Sequence, residues 1–151
     1  MTSAWRWRPG WVLGGYVALD ALCVGAGMGV PIFCIALGLP VGYYAARVAA
    51  TEMAGTRAAL SKVLRVGAAT SAVTFLMMAV IWGPCGAMLF GPASDVANFG
   101  IPFILYDPTA SFIGWLVLMI FISPFLQLLT TVFAAQLTLL WVLPPADEER
   151  P

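Results

Sequence analysis

Hydrophobic positions in this chain gather into long unbroken runs instead of alternating with polar ones. Uncharged stretches extend from Val66 to Ser94 and from Pro108 to Ala146, and each exceeds the roughly 20 residues that carry a helix across a hydrocarbon core. Ahead of them, two shorter apolar segments, 11–27 and 31–47, flank a hinge built from Gly25, Gly27, Gly29 and Pro31. At about 1.5 Å rise per residue, segments of this length reach roughly 26 Å. With only Met28 to Val30 between them, they are expected to form a tight antiparallel hairpin. A competing reading has the hinge break a single segment that dips into the bilayer and returns, an arrangement that points to transporter binding sites.

The pattern divides the remaining chain as follows. Residues 1–10 form a basic tail in which Trp5 and Trp7 alternate with Arg6 and Arg8, suited to anchoring at the headgroup level. Asp20 interrupts the apolar run that follows, which argues against a cleaved signal peptide. The stretch 48–67 carries Arg57, Lys62 and Arg65 against Glu52 and is expected to be a basic loop. Within it, Met53, Leu60, Val63 and Leu64 could line a short amphipathic helix. Residues 68–90 read as a third helix, 91–110 as an apolar outer loop with Asp95, Asn98 and Asp107, and 111–142 as a fourth helix kinked near Pro124. The tail 143–151 is polar and acidic, and disorder is expected there. Basic residues fall in the N-terminal tail and the 48–67 loop, so both termini are expected in the cytoplasm by the positive-inside tendency. The expected fold class is therefore all-α, a polytopic membrane protein of four transmembrane helices, set in a bacterial or archaeal cell membrane.

Composition agrees with this. Charged residues make up 9% of the 151, against about 25% in an ordinary soluble domain. Seven basic and seven acidic side chains cancel, and no basic cluster reads as a nucleic-acid patch. The chain has no histidine, the side chain best suited to proton transfer near neutral pH and the commonest metal ligand. No Gly-rich phosphate loop, nucleophile–base pair or metal-ligand spacing is present; no enzyme activity and no cofactor is expected.

Asp20 is the sharpest chemical feature, the only charge between Arg8 and Arg47. Ionisable residues at such depth face a bundle interior or a wet cavity. Away from water the neutral form is favoured, so this carboxyl can hold a proton or meet a cation. The bland alternative is a hydrogen-bonded Asp that locks the first helix to its neighbours. Ser123, Gln127, Thr131 and Thr138 share a small, polar face of the fourth helix and are candidate partners, as lining of a pathway with Asp20 or as helix–helix glue. Ser71 and Thr74 are further candidates of the same kind. Gly14, Ala18, Gly25, Gly29, Gly38 and Gly42 offer positions for close helix approach. Cys23, Cys34 and Cys85 are expected at one depth, where packing competes with thiol redox or soft-metal binding. Asp95, Asn98 and Asp107 read as turn residues or an outer cation site.

In size, and in carrying one acidic residue in its first helix, the chain is similar in outline to the small multidrug-resistance transporters. The likeness is one of architecture and places no binding residue. The expected function is that of a small transporter or permeation protein with Asp20 at a proton or cation site and Gln127, Thr131 and Ser123 beside it. The alternatives are a non-catalytic scaffold subunit of a larger membrane complex and a thiol-redox or soft-metal protein. Its expected partners are the lipid bilayer and either further copies of itself or a membrane-complex subunit.

Overall fold

A computed structural model describes residues 9–26, 31–52, 55–100 and 106–142, and all of its regular elements are helices. In chain order these are α1 (Pro9–Ala26), α2 (Ile32–Glu52), α3 (Thr56–Trp82) continuing as a 3₁₀ segment (Gly83–Phe90), α4 (Ala93–Asn98), and α5 (Pro108–Val117), which passes through a π-turn (Leu118–Ile122) into α6 (Ser123–Val142). Three rods are long and apolar enough to cross a membrane: Ile32–Glu52 with 21 residues, and Thr56–Phe90 and Pro108–Val142 with 35 each. α1 supplies a shorter apolar segment, Trp11–Gly25. The expected tails at 1–8 and 143–151, and hinge positions Gly27 and Gly29, lie outside the described residues.

The stretch expected as a basic loop is mostly helix. α2 continues to Glu52 and α3 begins at Thr56. Alanine-rich sequence on both sides favours helix, and the chain turns at Gly55, whose φ of 117° suits a residue without a Cβ. Lys62 reaches across this turn to pair with Glu52. The apolar face of this part of α3 is made by Ala59, Val63 and Gly67, which are buried, while Leu64 is exposed. At the far end of α3, Pro84 follows Gly83 and the chain tightens into 3₁₀ geometry, consistent with proline's missing N–H. The last long rod starts at Pro108, capped by Asp107, whose side chain accepts from the Thr109 N–H at 2.8 Å. The π-turn lies immediately before Pro124 and absorbs the hydrogen-bond shift that a mid-helix proline imposes.

α2 and α6 run side by side in the same direction. A Cβ on Gly38 would fall on Thr130 Oγ1 and the Gln127 carbonyl, and one on Gly42 would fall on the Thr131 carbonyl. Further along the same pair, Ala45, Ala46 and Ala49 bury against Ala135 and Leu139. Thr130 Oγ1 also donates to the Ile35 carbonyl at 2.7 Å. α3 runs antiparallel to both: Gly67 faces Leu128 and Thr131, and Ser71 Oγ donates to the Pro124 carbonyl at 2.6 Å. Beyond this small-residue half lies a bulkier one, where Val24, Cys34, Met78, Val96, Phe112, Trp115 and Met119 form a second core. Phe99 closes onto it, edge-on to Phe112 and Trp115 at centroid separations of 5.5 and 5.7 Å. The expected apolar outer loop therefore packs over this end through Phe99, whereas Tyr106 is fully exposed.

α1 is attached differently. Of its described side chains only Tyr16, Asp20 and Val24 are buried, a single line at a spacing of four. Gly14 and Gly25, expected to permit helix approach, have no heavy atom of a neighbour near a built Cβ, so among the described residues close contact of a glycine with another helix's backbone belongs to Gly38 and Gly42 of α2.

This contrast makes a direct prediction. Gly38→Ala and Gly42→Ala are each expected to lower stability by about 1–3 kcal/mol through overpacking, read by reversible unfolding in mixed micelles. Gly14→Ala and Gly25→Ala are expected to stay within about 0.5 kcal/mol of the parent. Equal losses at all four positions would contradict the packing described.

Candidate functional site

The buried line on α1 meets polar groups from three other helices. Thr74 on α3 donates its hydroxyl to Asp20 Oδ2 at 2.7 Å and lies 2.6 Å from the Tyr16 hydroxyl. Tyr16 is also placed to donate to the Thr70 carbonyl at 2.9 Å. From α6, the Gln127 amide N–H donates to the Tyr16 oxygen at 2.8 Å. The first turn of α2 brings the Cys34 thiol beside the Asp20 carboxyl. The spacing of sequence explains the assembly: Tyr16 and Asp20 stand one turn apart on α1, and Thr70 and Thr74 one turn apart on α3.

Asp20, Thr74 and Gln127 are fully or almost fully buried, and no cation among the described residues pairs with the carboxylate. Two oxygens in the cluster lack a well-formed hydrogen bond, Asp20 Oδ1 and Gln127 Oε1. A buried carboxylate has about four lone-pair positions to satisfy, and here one hydroxyl serves it. In a low-dielectric surround this is an expensive arrangement for a full negative charge. Chemically, the cluster can bind a positive species or a proton; it holds no group arranged as a nucleophile with its base.

Of the four residues expected at the site, the fold brings two together. Asp20 and Gln127 join through Tyr16 and Thr74. Ser123 and Thr131 are buried on the same face of α6, but their hydroxyls donate to their own helix, to the Met119 carbonyl at 2.5 Å and the Gln127 carbonyl at 2.8 Å. Thr138 does the same toward Ala134, and Gln136 is exposed. Tyr16 is the member that sequence reasoning passed over. Its signal was a phenol one turn before the only charge in that helix.

Of the remaining candidates, Cys34 and Cys23 come near this cluster and the others separate from it. Cys23, Cys34 and Cys85 are free thiols that share the bulkier core. Among the described residues no group of three His, Cys, Asp or Glu could hold a metal ion. Asp107 caps α5, and Asp95 sits by Gly91. Where Arg47 lies, an open groove of about 400 Å³ is lined by Tyr43, Leu137, Thr138 and Trp141. No protein family, curated protein or solved structure matches the chain.

Removing interhelical hydrogen bonds is expected to be felt, and removing intrahelical ones is not. Thr74→Val and Tyr16→Phe each leave a buried polar partner unserved and are expected to lose about 1–2 kcal/mol in micellar unfolding. Thr74→Ser should recover most of that loss. Thr131→Val, whose hydroxyl serves only its own helix, should cost under about 0.5 kcal/mol; a loss as large as that of Thr74→Val would contradict the assignment of bonds.

Proposed function

We propose that the chain crosses the bilayer four times with both termini in the cytoplasm, and that it moves a proton or small cation through a site centred on Asp20. The observation that carries this reading is the fully buried Asp20 carboxyl with one oxygen unpartnered and, among the described residues, no opposing charge paired with it. A residue with a purely structural task would favour complete satisfaction of its polar atoms. Threading is supported by three long apolar rods and the shorter α1, and by the basic residues Arg47, Arg57, Lys62 and Arg65 clustered where α2 ends and α3 begins. One copy has little interior to enclose a path, so the transporting form is a homo-oligomer.

A second reading, an accessory subunit in a larger membrane complex, has one observation in its favour. α1 presents Trp11, Leu13, Leu19 and Leu22 outward, with Gly14, Gly15 and Gly25 open between them. Such a surface allows close approach by another helix.

The two separate in reconstituted vesicles. Asp20→Asn is expected to abolish flux driven by a pH or cation gradient while the protein stays inserted and folded. Flux unchanged in that variant removes Asp20 from transport. A stoichiometric partner retained through gentle detergent extraction, with no flux from the purified chain, would favour the subunit reading.

A further inference from the structure

We propose that the species held at this site is a proton, shared between Asp20 and Thr74, and that metal cations do not take its place. The inference rests on Asp20 being the centre of the site and narrows what that site accepts.

The distances favour it. Asp20 Oδ2, Thr74 Oγ1 and the Tyr16 hydroxyl are linked at 2.7 and 2.6 Å, hydrogen-bond lengths between oxygens. A hard cation stands about 2.0–2.6 Å from each oxygen and gathers six or more of them. To coordinate these atoms it would have to break the hydrogen bonds that join them. One oxygen, Asp20 Oδ1, is left over, and the carboxyl has the Cys34 thiol beside it, a soft group that hard cations avoid.

The same heavy-atom positions serve both protonation states. With Asp20 ionised, the Thr74 hydroxyl donates to Oδ2. When a proton arrives from a hydronium ion in the aqueous phase, a new O–H bond forms on Oδ2 and a water molecule is released. The acid now donates to Thr74 Oγ1, and the Thr74 hydrogen turns to the Thr70 carbonyl, 3.2 Å away. Tyr16 donates to Thr74 or to the Thr70 carbonyl and accepts from Gln127 throughout. Only hydrogens move. Protonation also converts Oδ1 from half of a carboxylate into a neutral carbonyl oxygen, for which a missing donor is far less costly.

The other groups facing Asp20 do not compete for this role. The titratable ones are Tyr16 and Cys23 on α1 and Cys34 on α2. α3 offers the neutral Thr74 hydroxyl, and α6 reaches the cluster through the Gln127 amide. Among the described residues no charged side chain makes an ion pair with it.

Infrared difference spectroscopy of the full chain in phosphatidylcholine nanodiscs, titrated from acid to alkaline pH, tests this. A C=O stretch of a protonated carboxylic acid is expected at neutral pH, downshifted in deuterium oxide, absent in Asp20→Asn and displaced in Thr74→Val. Asp20→Glu, which keeps the acid, should retain a shifted band and covers the case in which the amide variant does not fold. Exchanging sodium or potassium for choline should leave the amplitude unchanged. Absence of the band at neutral pH, or its suppression by sodium or potassium, would overturn the proposal. Because the band is read without flux, a protein showing it but moving nothing would keep this inference and lose the transport reading; flux without the band would do the reverse.

Discussion

Apolar side chains gain little by leaving lipid for one another, so a membrane helix needs either close backbone contact or a polar bond to hold its place. α1 has the second and lacks the first. Its attachment runs through the Thr74 hydroxyl on Asp20 and the Gln127 amide on Tyr16, with Val24 as the buried apolar residue on the same line. The position of the first helix, and with it the burial of the carboxyl, depends on those bonds.

The rest of the bundle is held by different means. α2 lies against α6 because Gly38 and Gly42 leave no Cβ between the two backbones, and alanines continue the contact. Toward the other end the Trp82, Phe99, Phe112 and Trp115 rings pack among sulfur and branched side chains. The polar cluster draws on α1, α2, α3 and α6, and its Cys34 also belongs to the ring-rich core. A frame fixed by close contact and aromatic packing can thus present Thr74 and Gln127 in set positions while a loosely seated helix brings the acid to them. That division of labour would suit the proton exchange proposed for the carboxyl, since the frame need not move when a hydrogen does.

The sequence made parts of this legible and concealed others for physical reasons. An isolated Asp in an apolar run has to face inward, and it does; the polar face of the fourth helix was visible from its spacing, and Gln127 is where that face meets α1. Ser123 and Thr131 looked equivalent to Gln127 by spacing, but short hydroxyls reach their own carbonyl one turn back, while a long amide can cross to a neighbouring helix. Tyr16 was hidden because a phenol in a membrane helix is equally at home at the interface. Charge density suggested a loop over 48–67, with a short amphipathic helix as an option, yet alanine content kept most of it helical, with Gly55 just ahead of α3. Gly14 and Gly25 read as contact positions by residue type, but glycine identity does not say which helix has a neighbour on that side.

The claim on which this account rests is that hydrogen bonds, not apolar packing, seat α1 on the bundle. Spin labels placed at exposed Leu19 on α1 and exposed Leu76 on α3, in a full-length background without native cysteines, report that seat as a distance distribution in nanodiscs. One narrow distribution is expected for the otherwise unaltered chain, and a broad or lengthened one when Tyr16→Phe and Asp20→Leu are combined. The same narrow distribution in both would contradict the account.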